Sequence, residues 1–79
     1  MDVILLNETD VKEIMVIPGR GLVFQVFDPK HRFTEVGTRF EFRGELYEVR
    51  GVERFLKLID PPIPGDNVGL QVRKLEKSA

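Results

Sequence analysis

Turn-forming clusters interrupt this chain roughly every eight to twelve residues, a rhythm that restricts it to short β-strands. The interruptions are Asn7-Glu8-Thr9-Asp10, Pro18-Gly19-Arg20-Gly21, Asp28-Pro29-Lys30-His31, Val36-Gly37, Arg43-Gly44-Glu45, Asp60-Pro61-Pro62 and Pro64-Gly65-Asp66-Asn67. Glu13–Ile17 between them is short and apolar, and Leu22–Phe27 is apolar except for Gln25. Thr38–Arg43 alternates, with Phe40 and Phe42 on one face and Arg39, Glu41 and Arg43 on the other. Leu46–Val52 follows across Gly44, burying Tyr47 and Val49 and wetting Glu48 and Arg50. The two segments read as a hairpin in which Glu41, Arg43, Glu48 and Arg50 pair across strands. Glu53–Ile59 fits either a helical face or a strand buried on both sides; the abrupt stop at Pro61-Pro62 and the lack of helix caps favour the strand. Val68–Leu75 alternates again.

Strands this short cannot bury both faces as one flat layer, and closing the sheet removes its edges. The expected fold is therefore all-β: a small, closed, six-stranded, Greek-key-like β-barrel. Its expected interior is Ile14, Val16, Leu22, Phe24, Phe40, Phe42, Tyr47, Val49, Phe55, Leu58, Val68, Leu70 and Val72. Mid-strand Gly51 marks a bulge or barrel corner, and Gly69 a place of close approach. The 79 residues make one domain, with a variable segment over residues 1–10 and a frayed tail over residues 76–79.

Residue types exclude several chemistries. There is no cysteine, hence no disulfide, thiolate metal site or thiol nucleophile. His31 is the only histidine and Ser78, in the tail, the only serine, which leaves neither an imidazole metal site nor a serine triad. A closed barrel this small has no room inside for a substrate, so no enzyme activity and no cofactor are expected. Val3–Leu6 is too short for a signal sequence and no apolar run spans a bilayer, so the expected location is cytoplasmic, without a membrane partner. Twelve basic against thirteen acidic residues give a net charge of −1, which disfavours strong sequence-independent binding to duplex DNA but permits a local basic patch.

Ile17-Pro18-Gly19-Arg20-Gly21 before an apolar strand, then Val36-Gly37, Gly51-Val52-Glu53 and Pro64-Gly65-Asp66-Asn67-Val68-Gly69-Leu70, resemble in order and spacing domain 2 of the translational GTPases, elongation factor Tu and its relatives. The likeness runs from about Val11 to Leu75 and is weakest from Val26 to Glu35. It implies a six-stranded closed barrel that sits against ribosomal or transfer RNA. It also implies that Asn67 lies at a pocket for the aminoacyl end of transfer RNA and that Glu53 neighbours the terminal adenosine. The chain departs from the family at Leu56, where an arginine is usual, at Met15, where an aromatic residue is, and at Gln25, where a threonine is. The P-loop is absent, so no GTP binding is expected, and the chain reads as a free-standing small barrel.

Read on their own, the same residues keep two meanings. The Asn67 amide can donate and accept at once, but Asp66-Asn67 also shapes turns. Glu53 is either a ligand contact or a solvated strand-end carboxylate. Arg20, next to Gly19 on an exposed turn, suits a phosphate or carboxylate, although the glycines alone explain the turn. The expected binding set is Gly19, Arg20, Arg39, Arg43, Arg50, Glu53 and Asn67, with the arginines holding phosphates and Phe27 and Phe33 the only exposed rings for stacking. The expected function is a non-catalytic module that contacts RNA or the ribosome. The alternative is a protein–protein adaptor that docks through outward Val23 and Phe27.

Overall fold

The computed structural model describes residues 3–76, which form strands and loops without a helix. The strands are β1 (Val3–Leu5), β2 (Val11–Ile17), β3 (Gly21–Phe27), β4 (Arg39–Phe42), β5 (Glu45–Lys57) and β6 (Ile63–Leu75). They make one curled sheet in the order β1-β4-β5-β6-β3-β2, in which every pair is antiparallel except β1 with β4. No helix of the described residues is long and apolar enough to cross a membrane.

The alternation sets the faces. Leu22, Phe24 and Val26 of β3 lie opposite Val72, Leu70 and Val68 of β6, and Val49 and Val52 of β5 continue the row. Phe40 pairs with Tyr47 across the β4–β5 hairpin. On this core face the rings pack edge to face, Phe24 on Phe40 at 5.3 Å and on Phe42 at 5.7 Å, while Phe40 stacks on Tyr47 at 5.2 Å. The opposite, outer face carries Gln25, Gly69, Gln71, Glu48 and Arg73 in register.

Closure, however, does not occur: the sheet is a half-barrel whose edges are β1 and β2. The missing wall is supplied by two side chains from outside the strands, Leu6 and Phe33, both buried against the core. Phe33 meets Phe40 edge to face at 5.7 Å. Its loop is held down by Asp28, which is fully buried. The Asp28 carboxylate accepts the N–H groups of Arg32 and Phe33, each at 3.0 Å, and faces the Arg54 guanidinium at 2.6 Å. Arg54 also donates to the carbonyls of Gly65 (3.0 Å), Phe33 (3.2 Å) and Asp28 (3.3 Å). Burial pushes the Asp28 carboxyl up, but the N–H groups of Phe33 and Arg32 and the Arg54 charge outweigh it, so the group sits below its ordinary value.

Several strand expectations change with this geometry. Leu46–Val52 and Glu53–Ile59 are not separate strands: β5 runs through both to Lys57, with register shifts between Val49 and Gly51 and between Arg54 and Leu56. Gly51 therefore sits at a bulge, as its mid-strand place suggests. The Pro64–Asn67 cluster is not a turn but the first half of β6. Gly65 is required there by close approach: a side-chain carbon would lie 2.6 Å from the Phe55 carbonyl oxygen. Gly65→Ala is expected to cost about 1–3 kcal/mol, because backbone must move to admit it; a thermal melt reads the loss, whereas an unchanged midpoint would contradict this contact.

The interior also differs. Ile14, Val16, Phe55 and Leu58 are exposed rather than buried, while Val23, Val26, Phe33 and Leu6 are buried. Ile14 and Val16 do lie on the core face, opposite Phe24 and Leu22, but β2 is an edge and none of the described residues covers them. Phe55 and Leu58 belong to a two-stranded arm: beyond Phe27, β3 no longer flanks β6, and β5 and β6 pair only with each other. Phe33 is thus not available for stacking, and Val23 does face outward, opposite Gln71, but is covered there rather than exposed. The frayed tail expected over residues 76–79 lies, apart from Glu76, outside the described residues.

Candidate functional site: a glycine-floored cleft on the outer face

Where β3, β6 and β5 cross on the outer face, two neighbouring side chains are missing. Gly69 lies opposite Gln25 on one side and Glu53 on the other, and Gly51 lies opposite Gln71. The surface is lowered there, and a cleft of about 440 Å³ opens beside the two glycines, with the Gln71 amide oxygen 3.2 Å from where a Gly51 side chain would begin and the Gln25 amide nitrogen 3.5 Å from where a Gly69 side chain would. Gln25, Gln71 and Val23 wall it, and Glu53, Arg20 and Ile17 stand around it. The Gln71 amide is fixed, since its Nε2 donates to the Arg20 carbonyl at 2.8 Å. The Phe55 ring borders the floor, 3.8 Å from where a Gly69 side chain would begin.

Arg20 reaches the cleft through its turn. Ile17 and Gly21 close the β2–β3 hairpin, and the Arg20 N–H donates to the Ile17 carbonyl at 2.9 Å. Pro18 followed by Gly19 at φ +81° is the sequence of a type II turn, whose third residue needs a positive φ. Gly19 shapes this turn and does not line the cleft. A planar polar group fits such a site chemically: peptide planes below, two carboxamides that donate and accept, one cation and one anion.

A cationic cluster adjoins the cleft. Arg39, Glu48 and Arg73 form a row across β4, β5 and β6, and Glu48 meets Arg73 at 3.1 Å, Arg50 at 3.8 Å and Arg39 at 3.9 Å. Three guanidinium groups share one carboxylate, so the cluster keeps a net positive charge. It lies next to the cleft because Gly51 follows Arg50 and Arg73 follows Gln71 by two residues.

The expected binding residues divide accordingly. Arg20 and Glu53 are brought together at the cleft, and Arg39 and Arg50 sit in the neighbouring cluster. Arg43 stands apart at the β4–β5 turn, where it forks onto Glu8 with two bonds of 2.6 Å. That hydrogen bond, with the Arg43 charge, holds the Glu8 carboxyl below its usual range. Asn67 pairs with Phe27 in the β3–β6 ladder and does not line the cleft. The cleft's Gln25 and Gln71 and its neighbour Phe55 were not among the expected set. Gln25 has a sequence signal, as the one polar residue of an apolar strand, at the outward phase; Gln71 shares the outward phase of its strand with Arg73, and its pattern does not single it out. Phe27 is partly exposed, with the Lys12 ammonium 5.6 Å from its ring centre. Among the described residues no three His, Cys, Asp or Glu side chains gather as a metal site.

No protein-family model matches the chain, and no solved structure matches it.

Proposed function

We propose that this protein is a non-catalytic binding module similar to domain 2 of the translational GTPases, and that it takes an unstacked RNA end, free or within a ribonucleoprotein. The observation that carries this reading is the adjacency of the glycine-floored cleft and the Glu48-centred arginine cluster on one face. A base laid on the Gly51–Gly69 floor would meet two carboxamides on its edge and the Phe55 ring beside it, which is how unpaired nucleotides are read. The preceding phosphates would then fall toward Arg50 and Arg73. Both motifs of the resemblance flank this cleft, through Ile17 and Arg20 of one and Gly69 of the other.

The test is an NMR titration at low salt with short RNA oligomers and transfer RNA. Shifts are expected at Arg20, Gln25, Glu53, Gly69 and Gln71, and weaker ones at Arg50 and Arg73. Gly69→Ala keeps the fold, because its added carbon meets nothing closer than 3.5 Å. The methyl group should weaken binding about tenfold by lifting a base off the floor. Absence of shifts at the cleft in the wild-type protein would end this reading. One observation favours a protein partner instead: Leu56, Leu58, Ile59 and Ile63 are exposed together on the arm, Leu58 at 95%. Capture of a partner that survives nuclease and raised salt would support that second reading.

A further inference from the structure

We propose that β2 is a dimerisation edge, on which a second copy of this chain adds its own β2 in antiparallel register. Three observations meet there. The first is the open edge itself: among the described residues β2 has a neighbour only in β3, and its outer row of backbone groups is unpaired within the sheet. Folded proteins guard such edges with proline, inward charge, bulges or brevity. The opposite edge, β1, is three residues long, whereas β2 has seven. Its register shift between Val11 and Glu13 blunts only the first turn of the ladder, and Glu13–Ile17 carries no proline and no inward charge.

The second observation is apolar. Ile14 and Val16 continue the core face past Phe24 and Leu22 yet are 41% and 76% exposed. An added strand would cover them only if its own inward residues were apolar and two apart. β2 meets that requirement itself. With Met15 opposite Met15 of the second copy, Ile14 faces Val16 across the two-fold axis on both sides, and the half-barrel gains the wall it lacks at this flank.

The third observation is charge. Glu13 and Arg20 have no ion-pair partner within a single copy among the described residues. Both belong to the outer face, Glu13 opposite Gln25 and Arg20 beside the cleft that Gln25 walls. In the same register Glu13 lies opposite Ile17 of the second copy, next to the turn that carries Arg20. The pairing that buries Ile14 and Val16 thus brings Glu13 of each copy toward Arg20 of the other, twice. The shared strand is short, so the dimer population should depend on concentration.

Sedimentation equilibrium of the full chain tests this without any RNA. The wild type should approach twice its 9.1 kDa monomer mass as concentration rises. Val16→Lys puts a charge on the covered row at a site already exposed in the monomer; it should keep the circular dichroism spectrum and weaken association more than about tenfold. Glu13→Arg should weaken it less, and Glu13→Arg with Arg20→Glu should restore it. A wild type that stays monomeric throughout overturns the proposal. So does a dimer that Val16→Lys leaves intact, or a charge exchange that fails to rescue Glu13→Arg.

Discussion

Arg54→Met should destabilise the protein by about 3–5 kcal/mol, the usual cost of leaving a buried charge without its partner. Asp28 is fully buried, and among the described residues the Arg54 Nη2 is its only cationic contact shorter than 3 Å. The substitution also removes donors from three carbonyl groups that fasten the Phe33 loop to β6. For a small domain with a total stability of order 5–15 kcal/mol, that loss is a large part of the whole. Urea denaturation followed by Tyr47 fluorescence would show it as a lowered midpoint, and a midpoint within experimental error of wild type would refute the role given to Arg54.

The same pair fixes a pH dependence. The folded-state value for Asp28 is depressed below its ordinary 3.8, so the unfolded chain takes up this proton first as acid is added. Its contribution to stability is complete above that ordinary value and drains away as pH falls through the folded one. Asp28→Asn removes this titration, and the part of the acid loss that belongs to it should vanish from a stability profile measured between neutral pH and pH 2. A variant profile parallel to wild type would assign the acid sensitivity elsewhere.

Phe40→Ala is the second large effect, at about 3–5 kcal/mol for the cavity and lost burial. Phe40 is fully buried and touches Phe24, Phe33 and Tyr47, so its ring joins the sheet to the loop that covers it. Aromatic pairs add about 0.5–1.5 kcal/mol each beyond burial, which places this position above any valine of the core. Phe55→Ala is the control: the ring is partly exposed on the arm and should cost under about 1 kcal/mol. Thermal melts of the two variants should therefore separate widely, and similar midpoints would contradict the placement of the core.

Local patterning made the core face legible. Phe40 and Phe42, or Val68, Leu70 and Val72, could be assigned from alternation alone because each strand keeps its phase over several residues. It failed where the phase is broken or the neighbour is distant. The bulges near Gly51 and Phe55 shift the phase of β5, and only pairing with β6 reveals that the strand continues. Phe33 stands in a polar loop, and its burial depends on an Arg54–Asp28 contact that spans 26 residues of chain. Ile14 and Val16 have the pattern of core residues; their exposure follows from β2 lying last in the sheet, a property of topology rather than of their neighbours in sequence. At the cleft, Arg20 and Glu53 could be found through the motifs that contain them. Asn67 could not be judged, because the same dipeptide serves a turn, a ladder or a ligand equally well.

The cleft floor and the arm belong to the same two strands. Gly51 and Glu53 run on into Leu56 within β5, and Gly69 and Gln71 descend from Ile63 within β6. No loop separates the place where a ligand would rest from the outermost apolar residues. The arm is accordingly a lever on its own pedestal: whatever grips Leu58 or Ile59 also leans on the two glycines.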